Sequence, residues 1–174
     1  MKFLNWLFSW KSPQEEPSVK IARGDLIELA KANNFDVIIH GCNCFHAMAG
    51  GIARAIRVEW PEAAEADNKT RKGDENKLGT YSSVPVNGHE EGAYAPYEVL
   101  IVNAYTQFNP GADVNYDAIR NCLRKIHKDF PMDIQIGIPR IGAGIAGGDW
   151  QKIEDMIVTE LPDRFVTIVA FIPE

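Results

Sequence analysis

The chain predicts an α/β fold, with helices laid against a mixed or largely parallel sheet. Short runs rich in Val and Ile alternate with longer helical stretches, a pattern that gives layered α/β domains rather than bundles or sandwiches. Polar or glycine-bearing segments follow the apolar runs at Gly24-Asp25, His40 to Ala53, Asn103 to Phe108 and Gly142 to Gly148. In open α/β sheets, segments at the carboxyl ends of strands are where ligands bind.

Val19 to Ala22 reads as a short first strand, and Gly24-Asp25 as its turn. Asp25 is a good N-cap for a helix running to about Asn33, because its carboxylate satisfies otherwise free first-turn N–H groups. Phe35 to Ile39 is a buried strand. Gly51 to Trp60 is a helix, and Pro61 restarts another through about Asn68, since proline is tolerated in a first turn. The charged segment Thr70 to Asn76 is turn-rich. Leu78 to Val86 and Glu98 to Tyr105 are strands joined by the polar Asn87 to Pro96 connection. Asn115 to Phe130 is a helix that places Ile119, Cys122, Leu123 and Ile126 on one face. Ile134 to Ile138 is a central strand, Trp150 to Leu161 a helix, and Phe165 to Ile172 the last strand.

At 174 residues the chain suits one domain that buries roughly 70% of its unfolded surface. Residues 19–174 form that domain. Residues 1–18 hold a short apolar segment, Met1 to Trp10, and a Pro/Glu linker from Ser12 to Ser18. The apolar segment is too short to cross a bilayer. It is read as a helix packed on the domain or a partner, as a frayed tail, or as a weak membrane contact through Phe3, Trp6, Leu7 and Trp10. A net charge of −6 speaks against nucleic acid as a partner, because that affinity rests on many Lys and Arg. Three cysteines are too few for a disulfide framework and suit a reduced, cytoplasmic setting. Cys42-x-Cys44 has no second pair to complete a metal site, so no metal and no cofactor are expected. A monomer is expected.

The strongest local signal is His40-Gly41-Cys42-Asn43-Cys44 followed by Met48-Ala49-Gly50-Gly51-Ile52-Ala53. A strand opens into a glycine-containing loop that feeds a helix, which presents unpaired backbone N–H groups to an anion such as phosphate. Gly142 to Gly148 repeats the arrangement between a later strand and helix. Two such loops suggest a ligand with more than one phosphate. Neither Gly-x4-Gly-Lys-Ser/Thr nor Gly-x-Gly-x-x-Gly follows the first strand, which argues against P-loop and Rossmann enzymes.

Four segments in this order resemble a macro domain, the ADP-ribose-binding module: Arg23-Gly24-Asp25-Leu26, Ile38-Ile39-His40-Gly41-Cys42-Asn43, Ala49-Gly50-Gly51-Ile52-Ala53 and Pro139-Arg140-Ile141-Gly142-Ala143-Gly144-Ile145. The resemblance runs from about Val19 to Phe171 and implies a three-layer α-β-α fold with a central mixed sheet. His-x-Cys-Asn-Cys is most similar to the ADP-ribose-1″-phosphate phosphatase branch. Trp150 fits that branch and the neighbouring ADP-ribose–protein glycohydrolase branch.

The resemblance implies ADP-ribose or a derivative as ligand. Asp25, beside Leu26, matches the carboxylate that accepts from the adenine amino group; a helix N-cap is the plainer role. Asn43 matches the residue that binds the distal ribose, an amide being able to donate and accept toward a diol; a turn-stabilising Asn is the plainer role. Ala49, Gly50, Gly51 and Ile52 match the first diphosphate loop, and Gly142, Ala143, Gly144, Ile145 and Ala146 the second. Phe171 either stacks on adenine or is plain core. His40 would pass a proton to the leaving oxygen or activate water, with Asn43 orienting the sugar, unless it is a structural histidine. His46, Cys42 and Cys44 are lesser candidates. Ala146 stands where many macro domains carry an aromatic ring over the distal ribose, so space is expected there. Asn103 and Ala146 match positions where the glycohydrolase branch has its Lys and Asp, which speaks against a lysine mechanism. Asp149 is expected to cap the helix at Trp150. The function implied is phosphate release from ADP-ribose-1″-phosphate, with removal of ADP-ribosyl or O-acetyl groups, or non-enzymatic ADP-ribose reading, as alternatives.

Overall fold

A computed structural model describes residues 16–93 and 95–171. The apolar segment Met1 to Trp10 and most of the linker lie outside the described residues. Its last residue, Ser18, already belongs to the first strand.

Six strands, β1 (Ser18–Arg23), β2 (Val37–Asn43), β3 (Tyr81–Gly88), β4 (Tyr97–Gln107), β5 (Gln135–Pro139) and β6 (Phe165–Ala170), form one sheet in the order β1-β6-β5-β2-β4-β3. All neighbours are parallel except β3 with β4, so the sheet is mixed. Among the described residues, helices α1 (Leu26–Lys31), α2 (Gly51–Glu59), α3 (Pro61–Asn68), α4 (Tyr116–Asp129) and α5 (Trp150–Glu160) complete the fold, with a 3₁₀ turn at Glu75–Lys77.

Side chains alternate across a strand, and this splits the core in two. On β2, Val37 and Ile39 face one layer with Ile119, Leu123 and Ile126 of α4 and Ile153 and Ile157 of α5. Ile38 faces the other, with Leu26 and Ile27 of α1, Ile56 of α2 and Ala63 of α3. Helices on both faces of the sheet give the three-layer α-β-α arrangement. Asp25, Asn115 and Asp149 each accept from first-turn N–H groups and start α1, α4 and α5.

Several boundaries differ from the sequence expectation, and two have a plain physical reason. β2 runs four residues beyond Ile39, because His40 to Asn43 pair with Asn103 to Gln107 of β4. β3 starts at Tyr81 rather than Leu78, since Leu78 and Thr80 close 3₁₀-type turns onto Glu75 and Lys77 carbonyls.

Candidate functional site

The first loop, residues 44–50, delivers the chain to α2 with Gly50 as the N-cap, and no side chain caps that helix. The first N–H groups of α2 therefore stay available, at the positive end of its dipole. The second loop, residues 140–149, lies across from it. A Cβ on Gly50 would sit 2.7 Å from Ile145 Cδ1, which shows how closely the two loops approach.

Two clefts meet between these loops. The larger, of about 550 Å³, is lined by Asp25, Leu26, Val169 and the exposed Phe171. The smaller, of about 180 Å³, is lined by Thr106, Gln107, Gly142, Gly144, Ile145 and Ala146. Gly51, Ile52 and Arg140 line both. Arg140 stacks its guanidinium over the Trp150 ring, 5.3 Å from the centroid, a contact that holds the cation on a residue bordering neither cleft. An open hollow along α2 adds Ala49 and Arg54.

Most residues expected at the site thus gather there, and Asp25 does so while also capping α1 through bonds of 2.7 and 3.2 Å to Ile27 and Glu28 N–H. Three do not. Ala143 packs against the core under α4 and α5. Asn43 spends its amide on its own loop: Oδ1 accepts from Phe45 and Ala47 N–H, and Nδ2 donates to Ala47 O. Those three bonds stabilise the turn.

His40 is the larger departure. It is fully buried in β2 and does not border the clefts. Asn103 Nδ2 donates to the Ala63 carbonyl at 2.9 Å, which turns Asn103 Oδ1 toward His40 Nε2 at 2.7 Å. Nε2 must therefore carry the proton and donate. Burial lowers the His40 pKa to about 4, so the ring is neutral near pH 7 and its one N–H is already committed.

The lesser candidates are also occupied or inert. His46 Nε2 meets Thr70 Oγ1 at 3.0 Å. Burial raises the pKa of the Cys42 and Cys44 thiols, which keeps them protonated and poor nucleophiles. Conversely, Arg140, Thr106 and Gln107 line the clefts without having been singled out. Arg140 sat in plain view inside the second-loop motif. Thr106 and Gln107 carry no motif, and only the pairing of β4 with β2 brings them in.

The macro domain family model matches residues 39–157. An uncharacterized 17.5 kDa protein of Enterobacteria phage T4 is 36% identical over 160 residues, covering 89% of this chain and 97% of that protein. The ADP-ribose 1″-phosphate phosphatase of Scheffersomyces stipitis is 26% identical, covering 80% of this chain and 92% of its own length. Among solved structures, the macrodomain of Mycobacterium tuberculosis DarG aligns with a TM-score of 0.67 and 25% identity, over 91% of this chain and 99% of that one. This chain belongs to the macro domain family.

Proposed function

We propose that the protein is a hydrolase of ADP-ribose derivatives, with ADP-ribose-1″-phosphate as its substrate. The observation that carries this is the joined pair of clefts, with the uncapped start of α2 at their junction and Arg140 bordering both. A diphosphate fits that junction, because the free first-turn N–H groups of α2 and its positive dipole end lie there. Adenosine then occupies the larger cleft, with its ring near Asp25 and Phe171. The distal ribose and its C1″ substituent enter the smaller cleft. Likeness to the yeast phosphatase supports the choice of substituent.

In the reaction, water adds to the 1″ phosphorus and the bond from phosphorus to O1″ breaks. One proton of that water ends on O1″ and the other stays on the released phosphate. His40 is fully buried and borders neither cleft, so the substrate's own phosphate oxygens are the natural proton acceptor. The protein's contribution is positioning and charge stabilisation.

The test is phosphate release from ADP-ribose-1″-phosphate beside calorimetry with ADP-ribose. Turnover with saturable kinetics is expected. Tight ADP-ribose binding with no phosphate release would replace this reading with removal of ADP-ribosyl or O-acetyl groups, or with a non-enzymatic reader. No binding of ADP-ribose would remove the ligand class itself.

A further inference from the structure

The smaller cleft holds a polar group that nothing in the fold satisfies. Thr106 is 1% exposed, and among the described residues its Oγ1 is the one buried side-chain oxygen or nitrogen without a hydrogen-bond partner. Buried hydroxyls are ordinarily paired, so an orphan in a cleft wall calls for an explanation.

The strand geometry supplies part of it. Cys42 pairs with Tyr105 and Asn43 with Gln107. Thr106 is therefore the extra residue of a β-bulge between them. Bulges re-aim a side chain, and this one turns Thr106 out of the β2–β4 ladder. Its carbonyl is used, accepting from Asn115 N–H at 3.1 Å; its hydroxyl is not.

Gly41 supplies the rest. A Cβ on Gly41 would lie 2.8 Å from Thr106 Oγ1 and 3.2 Å from Ile141 Cγ1. With no side chain on Gly41, no carbon fills the space beside the buried hydroxyl, and both residues line the smaller cleft.

We propose that Thr106 is a substrate-positioning residue whose hydroxyl hydrogen-bonds the distal sugar of the bound ligand. This rests on the ADP-ribose reading above: with the diphosphate at the Arg140 junction and adenosine in the larger cleft, the distal sugar is the part that enters the smaller one. Asn43, tied into its own loop, leaves that task open. A hydroxyl that both donates and accepts suits a sugar diol.

The test compares ADP-ribose with ADP, which lacks the distal ribose, by calorimetry on the wild-type protein and on Thr106→Val and Thr106→Ser. Thr106→Val keeps the shape and deletes the hydroxyl. It should weaken ADP-ribose about five- to tenfold, the scale of one neutral hydrogen bond, and leave ADP within about twofold. Thr106→Ser should restore ADP-ribose binding. The melting temperature of Thr106→Val should equal or exceed that of wild type, because an unpaired buried hydroxyl is removed. Should Thr106→Val fail to fold, Thr106→Ala carries the same expectation for the two affinities. Equal losses for both ligands, or no loss for either, would overturn the proposal while leaving ADP-ribose binding intact. A wild-type protein that does not bind ADP-ribose would overturn the wider reading, and this proposal with it.

Discussion

His40 Nε2 donates to Asn103 Oδ1 at 2.7 Å, joining β2 to β4 inside the sheet. Asn103 passes the constraint on, donating to Ala63 O in α3 and to Ser82 Oγ in β3. A histidine beside the first loop therefore ties sheet to helix, and its neutral form is the one that fits.

Acid should unfold the protein partly through His40. Its pKa is about 6.5 in the unfolded chain and about 4 in the fold. Between these values the unfolded state binds more protons, so stability is full above about pH 6.5 and falls as pH drops toward 4. Complete loss of this linkage is worth on the order of 3 kcal/mol. Urea unfolding across that window checks it: His40→Gln should flatten the slope relative to wild type. An unchanged slope would show that His40 does not titrate in this way.

Asp25 should show two separable roles. Its Oδ1 caps α1 while the residue lines the larger cleft. Serine is also a strong N-cap but has a shorter side chain with no charge. Asp25→Ser should stay within about 0.5 kcal/mol of wild type in stability, whereas Asp25→Ala should lose about 1 kcal/mol. Both should weaken ADP-ribose binding. If Asp25→Ser binds as tightly as wild type, the carboxylate is a cap alone.

Much of this was legible beforehand because local chemistry reports on local structure. Asp25, Asn115, Asp149 and Pro61 announced helix starts, and the Val/Ile runs announced strands. The departures share one cause. His40, Gly41 and Asn43 look like loop residues because they are polar or small, and polar residues inside a sheet are expected only where partners exist. Those partners, Asn103 for His40 and the Phe45 and Ala47 backbone for Asn43, become visible only once β2 lies beside β4 and the loop folds back. Thr106 was hidden for the same reason. A bulge is a property of two strands, and one strand's sequence does not disclose it.

A second buried polar group sits behind the first loop. Asp67 Oδ1 accepts from Lys77 Nζ at 3.2 Å and from Tyr105 hydroxyl at 2.8 Å, with both charged side chains almost wholly buried. Lys77 also donates to Cys44 O, which pins the loop that leads to α2. Lys77→Met should cost about 3 kcal/mol, since it leaves a buried carboxylate uncompensated. Adding Asp67→Asn should recover part of that loss. Denaturant titration of both single variants and the double variant reads the coupling, and strictly additive losses would mean the pair does not act as a pair.

Arg140 should contribute charge and shape separately. Its guanidinium lies over Trp150, and the residue borders both clefts, where the diphosphate is proposed to sit. Stacking holds the planar group in place, and the positive charge attracts phosphate. Arg140→Ala should weaken ADP-ribose roughly fivefold at low ionic strength, a modest loss because the group is exposed. The loss should shrink at high salt, where screening already weakens the wild-type contact. Arg140→Lys retains the charge but not the flat stacking surface, so it should fall between the two. Calorimetry at two salt concentrations separates these terms. A loss that does not change with salt would locate the effect in packing against Trp150 and take Arg140 away from the phosphates.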